Sequence, residues 1–244
     1  MHTLIKTSLA LTFLVFSSLQ FTAQNRKNNA ITGSGNMIEK TVTTKPYRSI
    51  KVSGSMDVYL QKGTEGTISV LAEDNVQDSI VVESDGTTLT ISMKNNTSLR
   101  NTKKIKITVP FEDISEISLY GSGSIEGKAM LKTDKLTLSL NGSGDIEIAV
   151  ATNSLEATIR GSGDIEILGN ATDVAISTTG SGDFEGRELI SENAEVSITG
   201  SGDSTVYVKN NLKAKIQGSG SIYYGGKPAT NNSKVKGSGK IKAI

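Results

Sequence analysis

The chain is 244 residues long, with 26 Lys and Arg against 25 Asp and Glu, no Cys and a single His. The missing thiols exclude disulfides, thiolate nucleophiles, thiolate metal sites and a lipid-modified cysteine. The one His, His2, lies in a segment read below as removed, so a Ser–His–acid triad, a Cys–His pair and a His-ligated zinc site are excluded as well.

Residues 1–23 read as a secretory signal peptide. Met1–Lys6 is short and weakly basic, "TSLALTFLVFSSLQF" is apolar but short for a bilayer span, and small residues close it, with Ala23 the expected last residue lost. The competing reading is an uncleaved membrane anchor. Removal leaves 25 basic and 25 acidic residues, no transmembrane segment, and no charge excess to attract nucleic acid or an anionic membrane. The expected location is periplasmic, outer-surface-associated or secreted, and no feature of the chain sets an oligomeric state.

Residues 24–44 are expected to be an N-terminal tether, Asn-rich at 25–29 and carrying a first GSG copy at Gly33. Residues 45–244 then form a single β domain, divided into an irregular flank or cap (45–116) and a regular part (117–244). In the flank "VYLQ", "TISVLA", "SIVVESDGTTLTISMK" and "KIKITVP" read as strands, partly antiparallel. Asp85-Gly86 reads as a tight hairpin turn, and "NNTSLRN" (95–101) as a surface loop.

The regular part repeats. Intact GSG triplets begin at Gly121, Gly142, Gly161, Gly180, Gly200, Gly218 and Gly237, in steps of 21, 19, 19, 20, 18 and 19 residues, and "SGSMDVYL" is a degenerate copy with Met56 in place of the second Gly. Two residues before the triplets stand Leu119, Leu140, Ile159, Thr178, Ile198, Ile216 and Val235; two after stand Ile125, Ile146, Ile165, Phe184, Ser204, Ile222 and Ile241. Between them the residues are mostly Ser, Thr, Asp, Glu, Lys and Arg, so each repeat holds two half-buried strands joined at a glycine corner. A period near twenty is too short for a strand plus a helix. Stacked at the strand spacing of about 4.8 Å, the repeats make a parallel β-helix of about seven coils with an aliphatic interior. Aromatics are only 5% of the chain and Trp is absent, which fits a core of small, β-branched layers. The fold class is therefore all-β, a solenoid of about 19–20 residues per coil with an irregular β flank at its N-terminal side. The last coil, "KVKGSGKIKAI", interleaves Lys234, Lys236, Lys240 and Lys242 with apolar residues; lysines on an open sheet edge discourage further chains from adding, and a basic docking site is the competing reading.

These residues resemble a known family. A signal peptide, "YRSIKVSGSMDVYLQKG", an irregular section with "DGTTLTISMK", and serial "GSGD" coils ending "KGSGKIKAI" are similar to the putative auto-transporter adhesin head GIN domain family, common in Bacteroidetes. The resemblance covers almost the whole mature chain. It implies a right-handed β-helix shaped like the pectin lyases, no catalytic residues and a role in cell adhesion. The chain ends at its last coil without a translocator barrel or sorting domain, so surface display is expected to come from elsewhere.

Three surfaces compete as functional sites. Asp145, Asp164, Asp183 and Asp203 directly follow their triplets, Asp57 holds the same place in the degenerate copy, and Glu126, Glu147, Glu166 and Glu185 lie two residues further on. Stacking brings these carboxylates together, where repulsion is relieved by a raised pKa or a cation, and calcium takes such oxygen clusters. The four aspartates are thus weak calcium candidates on what otherwise reads as a solvated acidic face, and no other metal or cofactor is expected. The second surface is catalytic: Asp164 and Arg160 as base and substrate clamp, or two acids as a glycosidase pair, would make a polysaccharide lyase or hydrolase. Against it, the acids recur in register coil after coil, as structural positions do, and no one coil is marked out. The third is a sugar-stacking surface of Tyr47, Tyr120, Tyr207, Tyr223 and Tyr224, weighed against tyrosines that fill wide coils. A non-catalytic adhesin-like or structural module with an unknown glycan or surface protein as partner is the expected function; a carbohydrate-active enzyme is the alternative.

Overall fold

The computed structural model describes residues 29–244; the segment 1–23 read as a signal peptide and the start of the expected tether lie outside them. The first part of the chain holds β1 (Asn29–Thr32), β2 (Met37–Thr43), β3 (Ser49–Gly54), β4 (Asp57–Lys62), β5 (Thr67–Glu73), a single helical turn α1 (Asp74–Gln77), β6 (Ile80–Ser84), β7 (Thr88–Met93), β8 (Thr97–Arg100) and β9 (Lys106–Phe111). After β10 (Glu116–Gly121) each strand covers most of a coil: β11 (Ser124–Gly142), β12 (Asp145–Gly161), β13 (Ile165–Gly180), β14 (Phe184–Gly200) and β15 (Ser204–Gly218). β16 (Ser221–Gly225), β17 (Thr230–Gly237) and β18 (Lys240–Ala243) complete the stack.

The coils are parallel and in register on their triplets. Gly54 pairs with Gly121, and the column continues through Gly142, Gly161, Gly180, Gly200, Gly218 and Gly237. The two aliphatic columns read from the sequence are ladders of the interior: Leu140, Ile159, Thr178, Ile198 and Ile216 on one side of the corner, Ile146, Ile165, Phe184, Ser204 and Ile222 on the other, all buried. This is a β-solenoid, with a mixed sheet region at its N-terminal end.

Why both glycines recur is a matter of contact. A Cβ on Gly163 would lie 2.0 Å from the carbonyl oxygen of Gly144 in the preceding coil, and one on Gly161 would lie 2.1 Å from that of Gly142 at a φ of +133°. No side chain fits between backbones stacked this closely. Met56 escapes the rule for the same reason. The chain beyond it runs from β7 to β9 through β8 rather than through a corner, so no backbone stacks on that side. Met56 is buried and turns its side chain back toward Gly54.

Stack order departs from chain order at this end. β7 pairs with β3 and β9 with β4, both parallel, so a coil that follows β3 and β4 in sequence lies outside them, while β10 and β11 pair on their other side. Antiparallel partners then cover the outer ladders: β6 on β7, β5 on β9, and β2 on β5. The hairpin at Asp85-Gly86 is present: Ser84 lies opposite Leu89 and the Asp85 N–H donates to the Thr88 carbonyl at 3.3 Å, so the tight turn is made by Gly86 and Thr87, one residue further on.

Three stretches differ from their sequence reading. Within 24–44, the described residues include β1 and β2, and β2 pairs with β5 along seven residues. Within 95–101, β8 pairs with β1 in a separate two-stranded sheet. The GSG at Gly33 is not a coil corner: it wraps the start of α1, with the buried Glu73 carboxylate accepting the N–H of Gly35 at 2.6 Å and of Lys103 at 3.0 Å. Each involves a partner distant in sequence, which local pattern does not announce.

Candidate functional site

At four successive corners the strand ladder is interrupted just after the triplet, and a backbone N–H there needs an acceptor. The aspartate after the triplet supplies it. Asp145 Oδ1 accepts the N–H of Asp164 at 3.3 Å, Asp164 Oδ1 that of Asp183 at 2.8 Å, Asp183 Oδ1 that of Asp203 at 2.7 Å, and Asp203 Oδ1 that of Ser221 at 2.7 Å. The four candidate calcium residues do form one column, but one oxygen of each carboxylate is committed to the coil above it. Among the described residues no three acids come together closely enough to hold a metal ion. Asp57, at the foot of the column, is buried and paired with Lys104 at 3.2 Å, which raises the Lys104 pKa through hydrogen bond and charge. Glu126, Glu147, Glu166 and Glu185 stack in register beside the aspartates, with Arg187 3.7 Å from Glu185.

Arg160 is on the strand before its corner and Asp164 after it, and no carboxylate pairs with Arg160 among the described residues. The tyrosines do not form one surface: Tyr207, Tyr223 and Tyr224 lie on two adjacent coils, away from Tyr47 and Tyr120. Tyr47 is buried and donates its hydroxyl to the carbonyl of Pro110, and burial pushes its pKa up. Tyr120 is exposed with Lys51 Nζ 5.2 Å from its ring centroid, Tyr207 is exposed near the other end, and Tyr223 and Tyr224 are half-buried.

A feature of the opposite flank was missed in the sequence. Asp173, Asn193, Asn211 and Thr230 stand seven residues before their triplets, a spacing visible once looked for. They stack as a ladder: Asn193 Nδ2 donates to Asp173 Oδ1 at 2.8 Å, Asn211 Nδ2 to Asn193 Oδ1 at 2.6 Å, and the Thr230 hydroxyl to Asn211 Oδ1 at 2.5 Å. Beside the ladder runs a groove of about 510 Å³. Ala175 sits between Glu156 and Glu195 in its wall and leaves a notch there. Glu156 faces Lys135 at 3.5 Å and Glu195 faces Lys213 at 2.6 Å. The surface offers amide, hydroxyl and paired carboxylate groups in a regular array, a chemistry suited to many polar contacts.

Against known proteins, residues 46–228 match the family model described as "Putative auto-transporter adhesin, head GIN domain". The chain belongs to this family. Among solved structures it is similar to a "putative adhesin" from Bacteroides fragilis, with 28% identity, a TM-score of 0.83, and coverage of 88% of this chain and 100% of that one. It is also similar to a "putative lipid binding protein" from Parabacteroides distasonis, at 26% identity and TM-score 0.73, covering 88% and 99% of the two chains. A "putative adhesin" from Parabacteroides merdae, at 23% identity and TM-score 0.71 over 88% and 99%, shares the fold. No curated protein matches the chain. In the described residues no helix is long and apolar enough to cross a membrane.

Proposed function

We propose that this head GIN domain chain is an exported, non-catalytic binding module of the adhesin type, whose partner is a glycan or a surface protein. The observation that carries the reading is the commitment of the aspartate column: the acids that recur most conspicuously hydrogen-bond the next coil's backbone, which is a stacking role. The family supports adhesion, and the amide and hydroxyl ladder of Asp173, Asn193, Asn211 and Thr230 supplies a polar groove in which a sugar chain could exchange its water contacts for protein ones. Export rests on the signal segment at 1–23.

The test is a glycan array probed with the mature chain, with and without calcium, beside a reducing-end assay on the same polysaccharides. Binding without cleavage, weakened by Asn193→Ala, is the expected result. Cleavage lost on replacing one acid with its amide would establish the carbohydrate-active enzyme instead. Cell fractionation and blotting for the mature form checks export.

A further inference from the structure

Charge is segregated along the stack. Residues 29–144 carry thirteen basic and thirteen acidic residues, residues 145–203 carry twelve acids and two arginines, and residues 204–244 carry eight lysines and no acid. All eight lysines are exposed. Lys209 and Lys213 reach Glu192 and Glu195 in the coil below; among the described residues the other six, Lys234, Lys236, Lys240 and Lys242 included, meet no carboxylate.

The same end is an open sheet edge. Among the described residues β17 pairs with β15 and β18 with β16, and neither has a strand on its outer side. Every residue of β17 is exposed. Part of the coil is adapted to water: Asn231 and Ser233 stand where the preceding coil has Leu212 and Ala214. Part is not. Val235, stacked on Ile216, is 42% exposed, and Ile241, stacked on Ile222, is half-buried. Unpaired backbone groups, apolar residues one strand deep and uncompensated lysines thus occur on one surface.

We propose that β17 and β18 are an acceptor edge for one extended segment of a partner protein. That segment carries glycine at both corner positions, apolar residues over Val235 and Ile241, and acids over Lys234, Lys236, Lys240 and Lys242. The proposal rests on the binding role above and names one partner chemistry for it. Only an added strand answers all three features of the edge. An anionic polysaccharide would meet the lysines and leave the backbone and Val235 unsatisfied, and a lipid surface would leave the backbone groups unpaired in an apolar layer. The lysines also set specificity by charge: a second copy of this coil would place lysine over lysine and is rejected, whereas an acidic strand is drawn in. The glycines follow from the stack, where a Cβ on Gly237 or Gly239 would lie 2.1 Å from the backbone oxygen below it.

The probe is a labelled nonapeptide, Glu-Val-Glu-Gly-Ser-Gly-Glu-Ile-Glu, titrated into the mature chain by fluorescence anisotropy, with hydrogen exchange read at β17 and β18. Saturable binding is expected, with slowed exchange at those two strands. It should be about tenfold or more tighter than binding of the same peptide with both glycines replaced by alanine, which has equal charge. The chain with Lys234→Glu, Lys236→Glu, Lys240→Glu and Lys242→Glu, whose circular dichroism should match the parent, is expected to prefer the lysine version of the peptide. Equal binding of the alanine peptide, or of dextran sulfate or anionic vesicles in competition, would reduce the edge to a charged patch and overturn the proposal. So would no binding of the peptide at all. A negative glycan array would instead count against the glycan reading and leave this edge to be judged by the peptide alone.

Discussion

The carboxylate of Asp164 accepts the backbone N–H of Asp183 at 2.8 Å across the gap between two coils. The acid that looks like a ligand is thus a clamp between turns of the solenoid. Asp164→Ala strands that N–H, and because the site is exposed and water can reach it, the cost should be about 1 kcal/mol, the value of an ordinary hydrogen bond and below that of a buried bond to a charged group. Asp164→Asn keeps an oxygen acceptor and should cost less than half as much. Urea midpoints of the two variants measure this. Equal losses, or a midpoint of the parent that rises with excess calcium and ceases to do so in Asp164→Asn, would return the column to a cation-binding role.

Gly163 and Gly35 separate steric from conformational need. A Cβ on Gly163 meets the Gly144 oxygen at 2.0 Å, whereas one on Gly35, at φ +81°, meets nothing within 4 Å. Gly163→Ala must push two coils apart and should cost more than about 3 kcal/mol, in the tail of single-substitution effects. Gly35→Ala should cost only the left-handed conformation, about 1–2 kcal/mol. Denaturant unfolding of the two proteins gives the comparison, and similar losses would mean that the stacked coils give way to a Cβ at Gly163 and that close backbone contact is not what demands the glycine.

This contrast also says what was legible in the sequence. The corners from Gly121 to Gly237 could be read because contact forces the same residue at the same step, and the aliphatic ladders could be read because each strand alternates. The aspartates could be found but not their use, since a side chain pointing to solvent and one pointing along the stack have the same parity. The ladder of Asp173, Asn193, Asn211 and Thr230 has a constant spacing yet a changing residue type, which hides it from a search for identical motifs. The GSG at Gly33 misleads because its partner is Glu73, forty residues on. β7 and β9 carry no triplet, so their place outside β3 and β4 depends on pairings that only the folded chain reveals.

Two positions in the aliphatic columns are polar. Thr178 lies between Ile159 and Ile198, Ser204 between Phe184 and Ile222, both are buried, and neither hydroxyl has a hydrogen-bond partner among the described residues. An unpaired buried hydroxyl is destabilising, and an apolar residue of similar shape removes the penalty. Thr178→Val and Ser204→Ala should each raise stability by about 1 kcal/mol. Thermal or denaturant unfolding checks this. A loss in either variant would mean that the hydroxyl is satisfied by a buried water.

The Asp85 hairpin gives a pH dependence. Asp85 Oδ1 accepts the N–H of Thr88 at 2.8 Å and of Thr87 at 2.7 Å, and these bonds hold its carboxyl below the ordinary range. A carboxyl with a depressed folded-state pKa adds stability above its unfolded value, about 3.9, and that stability fades as pH falls through the folded value. Hydrogen exchange at β6 and β7 in the parent should therefore speed up relative to the rest of the stack as pH is lowered from 7 to about 3, after correction for intrinsic exchange. Asp85→Ala should exchange faster than the parent at neutral pH and show no such acid-specific change, so the two proteins converge at low pH. If the gap between them is as wide at pH 3 as at pH 7, the contribution of Asp85 to the turn does not depend on its ionised carboxylate.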